Sequence, residues 1–213
     1  GGIIEEFANN TFRDNADNPL ALPVSQVGKL DDASTFSDGN GDNSIEVFGS
    51  TIDEDEVQVF PAIADGTPYY VTGDLIVDSG VEISAGAVFE FAPLTKISVE
   101  TSGSGYLSAI GTEADSIIFT ARDTDNGWEG IVFFTPDVRN ELSYVRVSHG
   151  GTTGFGFGVE AANVGVEDGE RVKITNSVIT ESQGAYGLYV EGGGILEEFA
   201  NNSFRNNAGT AMA

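Results

Sequence analysis

The segment Asp38-Gly39-Asn40-Gly41-Asp42-Asn43-Ser44 sets side-chain oxygens at alternate positions, the spacing with which a short loop wraps a hard cation. Asp38, Asn40, Asp42 and Ser44 are therefore the candidate ligands for Ca2+. Asn43 in the sixth place and Gly49 in the twelfth exclude an EF-hand, which needs Gly and Glu there. Asp123-x-Asp125-Asn126 and Glu167-Asp168-x-Glu170 are weaker oxygen clusters, and Asp53-Glu54-Asp55-Glu56 is expected to be a solvated, charged edge. A second chemistry is stacking on sugars. Trp128, Tyr69, Tyr70, Tyr106, Tyr186 and Tyr189 are candidate platforms, and Gly154-Phe155-Gly156-Phe157-Gly158 would put Phe155 and Phe157 on one side of a strand. Trp128, Phe155 and Phe157 are the ligand-binding candidates carried forward.

Ser148-His149-Gly150-Gly151, Arg171-Val172-Lys173 and the upstream Asp123-Thr124-Asp125 faintly resemble the signature of β-helical polygalacturonases, in which clustered carboxylates act beside a His and an Arg-x-Lys. The required adjacent acidic pair is missing, because Asp31-Asp32 precedes Asp123 and cannot serve in that order. His149 is expected to be a satisfied surface residue. A uronate lyase needs clustered base and cation to neutralise its substrate, and the nine basic residues stand singly except for Arg171 and Lys173. No catalytic residue is assigned.

These residues sit in a chain of 213 with 34 acids against 9 bases, a formal charge of -25. Such a surface repels a phosphate backbone, so nucleic acid is excluded as a partner. Hydrophobic residues make up 40% and Phe alone supplies 14 positions, enough for a folded core. There is no Cys for a disulfide, thiolate site or nucleophile. No apolar run approaches the ~20 residues of a membrane span, so no membrane insertion is expected. The start lacks a signal-peptide pattern, which is expected of a chain processed or cut from something longer.

Stretches of three to five β-forming residues recur throughout, among them Leu75-Ile76-Val77, Val88-Phe89-Glu90-Phe91, Ile117-Ile118-Phe119 and Val145-Arg146-Val147. Many alternate apolar and polar residues, and Gly, Asn, Asp or Ser punctuates them. Hairpin signals are absent, while turn residues Asn10, Asn15, Asn40, Asn176, Asn202 and Asn207 could stack from coil to coil. The pattern predicts an all-β, right-handed parallel β-helix, a solenoid. Its core should hold Leu75, Val77, Ile83, Phe89, Phe91, Ile97, Leu107, Ile117, Phe119, Ile131, Phe133, Leu142, Val145 and Val147.

A long repeat is superimposed on this. GGIIEEFANNTFRDN at 1–15 returns as GGILEEFANNSFRNN at 193–207, with twelve of fifteen positions identical at an offset of 192. Residues 1–192 therefore read as one complete tandem unit and 193–213 as the start of the next copy.

The stretches Tyr70-Val71-Thr72-Gly73-Asp74-Leu75, Val81 to Phe89, Leu107-Ser108-Ala109-Ile110-Gly111-Thr112, Ile117-Ile118-Phe119-Thr120, Trp128-Glu129-Gly130-Ile131 and Leu142-Ser143-Tyr144-Val145 resemble the right-handed parallel β-helix repeats of large secreted bacterial surface proteins. The likeness covers about residues 68 to 150, and the looser F-x-x-N-x-F-x-x-N pattern covers Phe7 to Asn15 and Phe199 to Asn207. It implies an extracellular or cell-surface setting but no reaction. The expected function is a non-enzymatic structural or adhesive repeat of a long surface protein or fibre, its units stacked head to tail. The partners expected are neighbouring units or identical chains, and surface glycans. The alternative is a glycan-binding or glycan-cleaving β-helix.

Overall fold

The computed structural model describes residues 3–53, 56–100 and 104–213. Glu54 and Asp55 of the expected charged edge lie outside the described residues, as do Gly1 and Gly2 of the first repeat copy.

Parallel strands stack into three long faces, which makes the chain a parallel β-helix; the right-handed sense is the one that the crossover rule dictates for such connections. Among the described residues the first face holds eight strands: Leu20–Pro23, Ile45–Phe48, Tyr69–Val71, Val88–Phe91, Ile117–Ala121, Val145–Ser148, Val178–Thr180 and Ser203–Arg205. The second holds seven: Thr51–Ile52, Leu75–Val77, Lys96–Val99, Gly130–Phe133, Ala162–Val166, Tyr186–Val190 and Thr210–Met212. The third holds six: Gln58–Phe60, Gly80–Ile83, Tyr106–Ile110, Glu141–Ser143, Arg171–Thr175 and Ile195–Ala200. Thr11–Arg13 and Thr35–Asp38 form a separate two-stranded sheet, and Val24–Lys29 is a 3-10 helix.

All fourteen expected core residues are buried. Register makes like stack on like: Tyr69, Phe89 and Phe119 pair in sequence on the first face, with ring centroids 5.0 and 5.5 Å apart. Each inward residue thus packs against its neighbours in the coils before and after, so the core is continuous along the axis.

The recurring Asn residues have two physical roles. Some take left-handed backbone at the corners, a conformation that Asn tolerates better than other residues with a Cβ. Asn9, Asn176 and Asn201 turn the chain before Thr11–Arg13, Val178–Thr180 and Ser203–Arg205, at φ of 54°, 53° and 57°. Tyr144 makes the same turn before Val145–Ser148 without that tolerance. Others cap backbone groups of the neighbouring coil. Asn140, Asn202 and Asn207 accept from Leu107, Ser177 and Ser182 N–H, and the Asn40 amide oxygen accepts from Asn15 N–H and Nδ2. The ladder is therefore mostly Asn to backbone rather than the Asn-on-Asn column expected.

The two repeat copies share local form but not every sheet. Asp14 and Asn206 are both left-handed, like Asn9 and Asn201, and Phe7 to Phe12 and Phe199 to Phe204 lie 6.0 and 5.9 Å apart. However, Ser203–Arg205 joins the first face, whereas among the described residues Thr11–Arg13 pairs only with Thr35–Asp38, and Ile195–Ala200 is a third-face strand where residues 3–8 form none.

Candidate functional site

The expected cation loop is held together by protein contacts. Asn40 is buried; its Nδ2 donates to the Phe12 and Phe36 carbonyls while its oxygen serves Asn15. Asp42 accepts from the Ser44 hydroxyl and receives both terminal nitrogens of Arg122 at 2.7 and 3.2 Å. Arg122 also reaches Glu90 at 2.8 Å and lies 3.9 Å above the Tyr70 ring. Burial alone would raise the Asp42 carboxyl, but bonds from Arg122, Ser44 and Asn18 outweigh it and hold the group below its ordinary range. Of the four proposed ligands, Asn40, Asp42 and Ser44 are tied into this network and Asp38 is exposed, so calcium would have to displace Arg122 to gather them. Among the described residues no group of three or more His, Cys, Asp or Glu side chains is placed to hold a metal ion.

Trp128 is corrected from a sugar platform to a core residue. It is fully buried, stacks 4.0 Å from Phe91, and donates its indole N–H to the Ser148 carbonyl. Phe155 and Phe157 do not share a side. Left-handed backbone at Gly156, Phe157 and Gly158 bends the segment into a tight loop rather than a strand. Phe155 is turned under the loop beside Val132, Phe134 and Val159, while Phe157 is 82% exposed and meets the edge of Phe134. His149 contacts Thr120 Oγ1 at 3.2 Å at a corner, the satisfied position expected for it.

A site that sequence reasoning singled out only weakly lies below this loop. Glu100, Phe134, Phe157, Glu167 and Glu170 line an open cleft of about 240 Å3. Its geometry follows from register. Val99, Phe133, Val166 and Val190 are paired in turn on the second face, so the next residues, Glu100, Phe134, Glu167 and Glu191, form a column at the following corner. Their N–H groups each donate to the preceding coil, from Glu100 to Val77 through Glu191 to Val166.

No known protein family, curated protein or solved structure matches the chain.

The site must therefore be judged on its own chemistry. Burial, then Glu191, Asp168 and Glu100, push the Glu167 carboxyl above its ordinary range. Burial, then Glu167, does the same to Glu170 against the pull of Arg171. Glu170 and Glu191 each bury one carboxylate oxygen with no hydrogen-bond partner. The arrangement can accept hydrogen bonds, favours the protonated form of Glu167 and Glu170 beyond what solvent would, and offers Phe157 as an apolar wall. The sequence signal was an acid placed directly after the last apolar residue of second-face strands, at Glu100, Glu167 and Glu191 but not at Phe134.

Proposed function

We propose that this chain is a non-enzymatic structural or adhesive repeat of a long extracellular surface protein or fibre, with units continuing head to tail. The observation that carries the reading is the copy at offset 192, whose left-handed corners recur at both ends of the stack and whose Phe pairs keep spacings of 6.0 and 5.9 Å. A column of coils with a continuous core extends without new design wherever its first coil recurs. The charge of -25 opposes lateral association of such rods, while axial contacts gain backbone ladders and opposite-charge pairs that offset it.

The test is a chain lengthened by a second copy of residues 22–213. Seven coil steps at ~4.8 Å give about 34 Å per unit. X-ray scattering should show the maximum dimension growing by about that length with an unchanged cross-section. Growth in cross-section instead would mean that the units fold back on each other, and would overturn the tandem reading.

A second reading, glycan binding, is favoured by one observation: Phe157 stands exposed beside the carboxylates of Glu100, Glu167 and Glu170. That combination gives a sugar one stacking face and several acceptors for its hydroxyls. Retention on immobilised neutral glycans, lost in Phe157→Ala, would support it.

A further inference from the structure

The tandem reading leaves open what the first copy docks against, and the second copy supplies the chemistry. Residues 195–207 lie on the coil of residues 170–182 through a defined set of contacts. Arg171 pairs with Glu197, and Lys173 reaches Glu198 at 3.4 Å as well as Glu141 at 3.2 Å. The Asn202 amide accepts from Ser177 N–H and donates to the Ile174 carbonyl at 2.8 Å. Asn207 does the same with Ser182 and Ile179. The carbonyls of Ala200 and Arg205 accept from Asn176 and Glu181, and the N–H groups of Ile195 and Ser203 donate to Glu170 and Ser177.

Every side chain in that set recurs in the first copy, as Glu5, Glu6, Asn10 and Asn15. The three substitutions between copies fall elsewhere: Leu196 and Ile4 both pack on the core, Ser203 contributes its backbone, and Asn206 is a corner. Meanwhile most of the bonds from residues 3–15 to the coil that follows them run through backbone groups: the N–H groups of Ile4, Asn9, Asn10, Asp14 and Asn15 and the carbonyls of Asn10, Phe12 and Asn15. The Asn15 side chain is engaged as well, its Nδ2 donating to Asn40. Glu5 and Glu6 are exposed, in a chain whose one adjacent basic pair is already shown to fit their copies.

Resting on the tandem reading, we propose that the edge of residues 3–15 is a docking surface for residues 170–182 of a second copy of this chain, where it takes the place of that copy's residues 195–207, with Glu5 and Glu6 set against that copy's Arg171 and Lys173. The Asn10 amide would cap the copy's Ser177 N–H and Ile174 carbonyl, as Asn202 does within one chain. Asn15 must turn its amide from Asn40 to complete the set.

A charge exchange tests this in the full chain. Arg171→Glu with Lys173→Glu repels the chain's own Glu197 and Glu198 and frees the coil; Glu5→Arg with Glu6→Lys makes a matching first copy in another chain. Sedimentation should show a complex on mixing, with an affinity at least ~10-fold above the self-association of either variant alone. No complex from two variants with wild-type circular dichroism would overturn the proposal. Should the double Glu variant not fold, Asn202→Ala loosens the last coil instead. It should give concentration-dependent oligomers that disappear when Asn10→Ala is added. Oligomers that survive Asn10→Ala, or a monomer at every concentration, would also overturn it. A straight two-unit rod without a mixing complex removes this inference alone; a folded-back rod removes the tandem reading whatever the mixture does.

Discussion

Asp42 and Glu167 stand in acid-rich turns of the same very acidic chain, and their surroundings treat them oppositely. Around Asp42, Arg122 links a loop 80 residues away to Glu90 and spreads its charge over two carboxylates and the Tyr70 ring. Around Glu167 the neighbouring charges are the carboxylates of Glu191, Asp168 and Glu100, while Arg171, which draws on Glu170, is itself paired with Glu197. With nine bases for 34 acids, most carboxylates must be solvated, and the few cations decide where negative charge becomes structural. Acidity at the first place fastens two distant coils; at the second it concentrates a field in a cleft.

The largest effect that would break this contrast is Arg122→Ala. It leaves Asp42 and Glu90, each about 30% exposed, facing one another unscreened, and should lower unfolding free energy in urea by about 2 kcal/mol. A loss under ~0.5 kcal/mol would mean that the pair is ordinary surface charge. Next comes pH, where the two places have opposite signs. The Asp42 carboxyl lies below its ordinary 3.8 in the folded state, so its contribution is present above that pH and lost as pH falls through the lower folded value. Glu167 and Glu170 lie above their ordinary 4.5, so theirs is present below that pH and lost as pH rises through the higher folded value. Asp42→Asn should flatten only the acid limb of the stability profile, and Glu167→Gln with Glu170→Gln only the limb above. The double Gln variant should gain less than about 1 kcal/mol at neutral pH. Smaller still, ~1 mM calcium against EDTA should leave the melting temperature of the wild type unchanged, because Arg122 already neutralises Asp42. Calcium stabilisation that vanishes in Asp42→Asn would reverse that expectation. Phe157→Ala should shift stability by less than ~0.5 kcal/mol, since its ring stands in solvent.

The difference between these places also explains what could be read from sequence. Inward residues such as Val77, Phe89, Phe119 and Ile131 announce themselves by alternation within a few residues, and all are buried. Left-handed Asn corners are equally local. The column of Glu100, Phe134, Glu167 and Glu191 is not, because coils advance unevenly, by 20 residues from Tyr69 to Phe89 and by 32 from Val147 to Ile179. Without a fixed period, residues that share a corner share no spacing. The Arg122 to Asp42 bridge was hidden for the same reason. Trp128 was misjudged because its W-x-G-I setting gives no sign of which way it turns; it stacks on Phe91, inside. The Phe155 and Phe157 pair misled through period-two reasoning applied to a segment whose glycines turn it into a loop.

The pairing of each strand only with its counterparts in the adjoining coils has a mechanical consequence. Interstrand hydrogen bonds run along the helix axis, so a pull between the ends loads the bonds of the outermost coil before those of any other. A coil of some 25 residues, once peeled away, extends to roughly 85 Å, far beyond the ~4.8 Å it occupied in the stack. Such a rod yields under tension by lengthening in discrete steps from its ends, while the remaining coils keep their packing and can rewind the lost turn when the load falls.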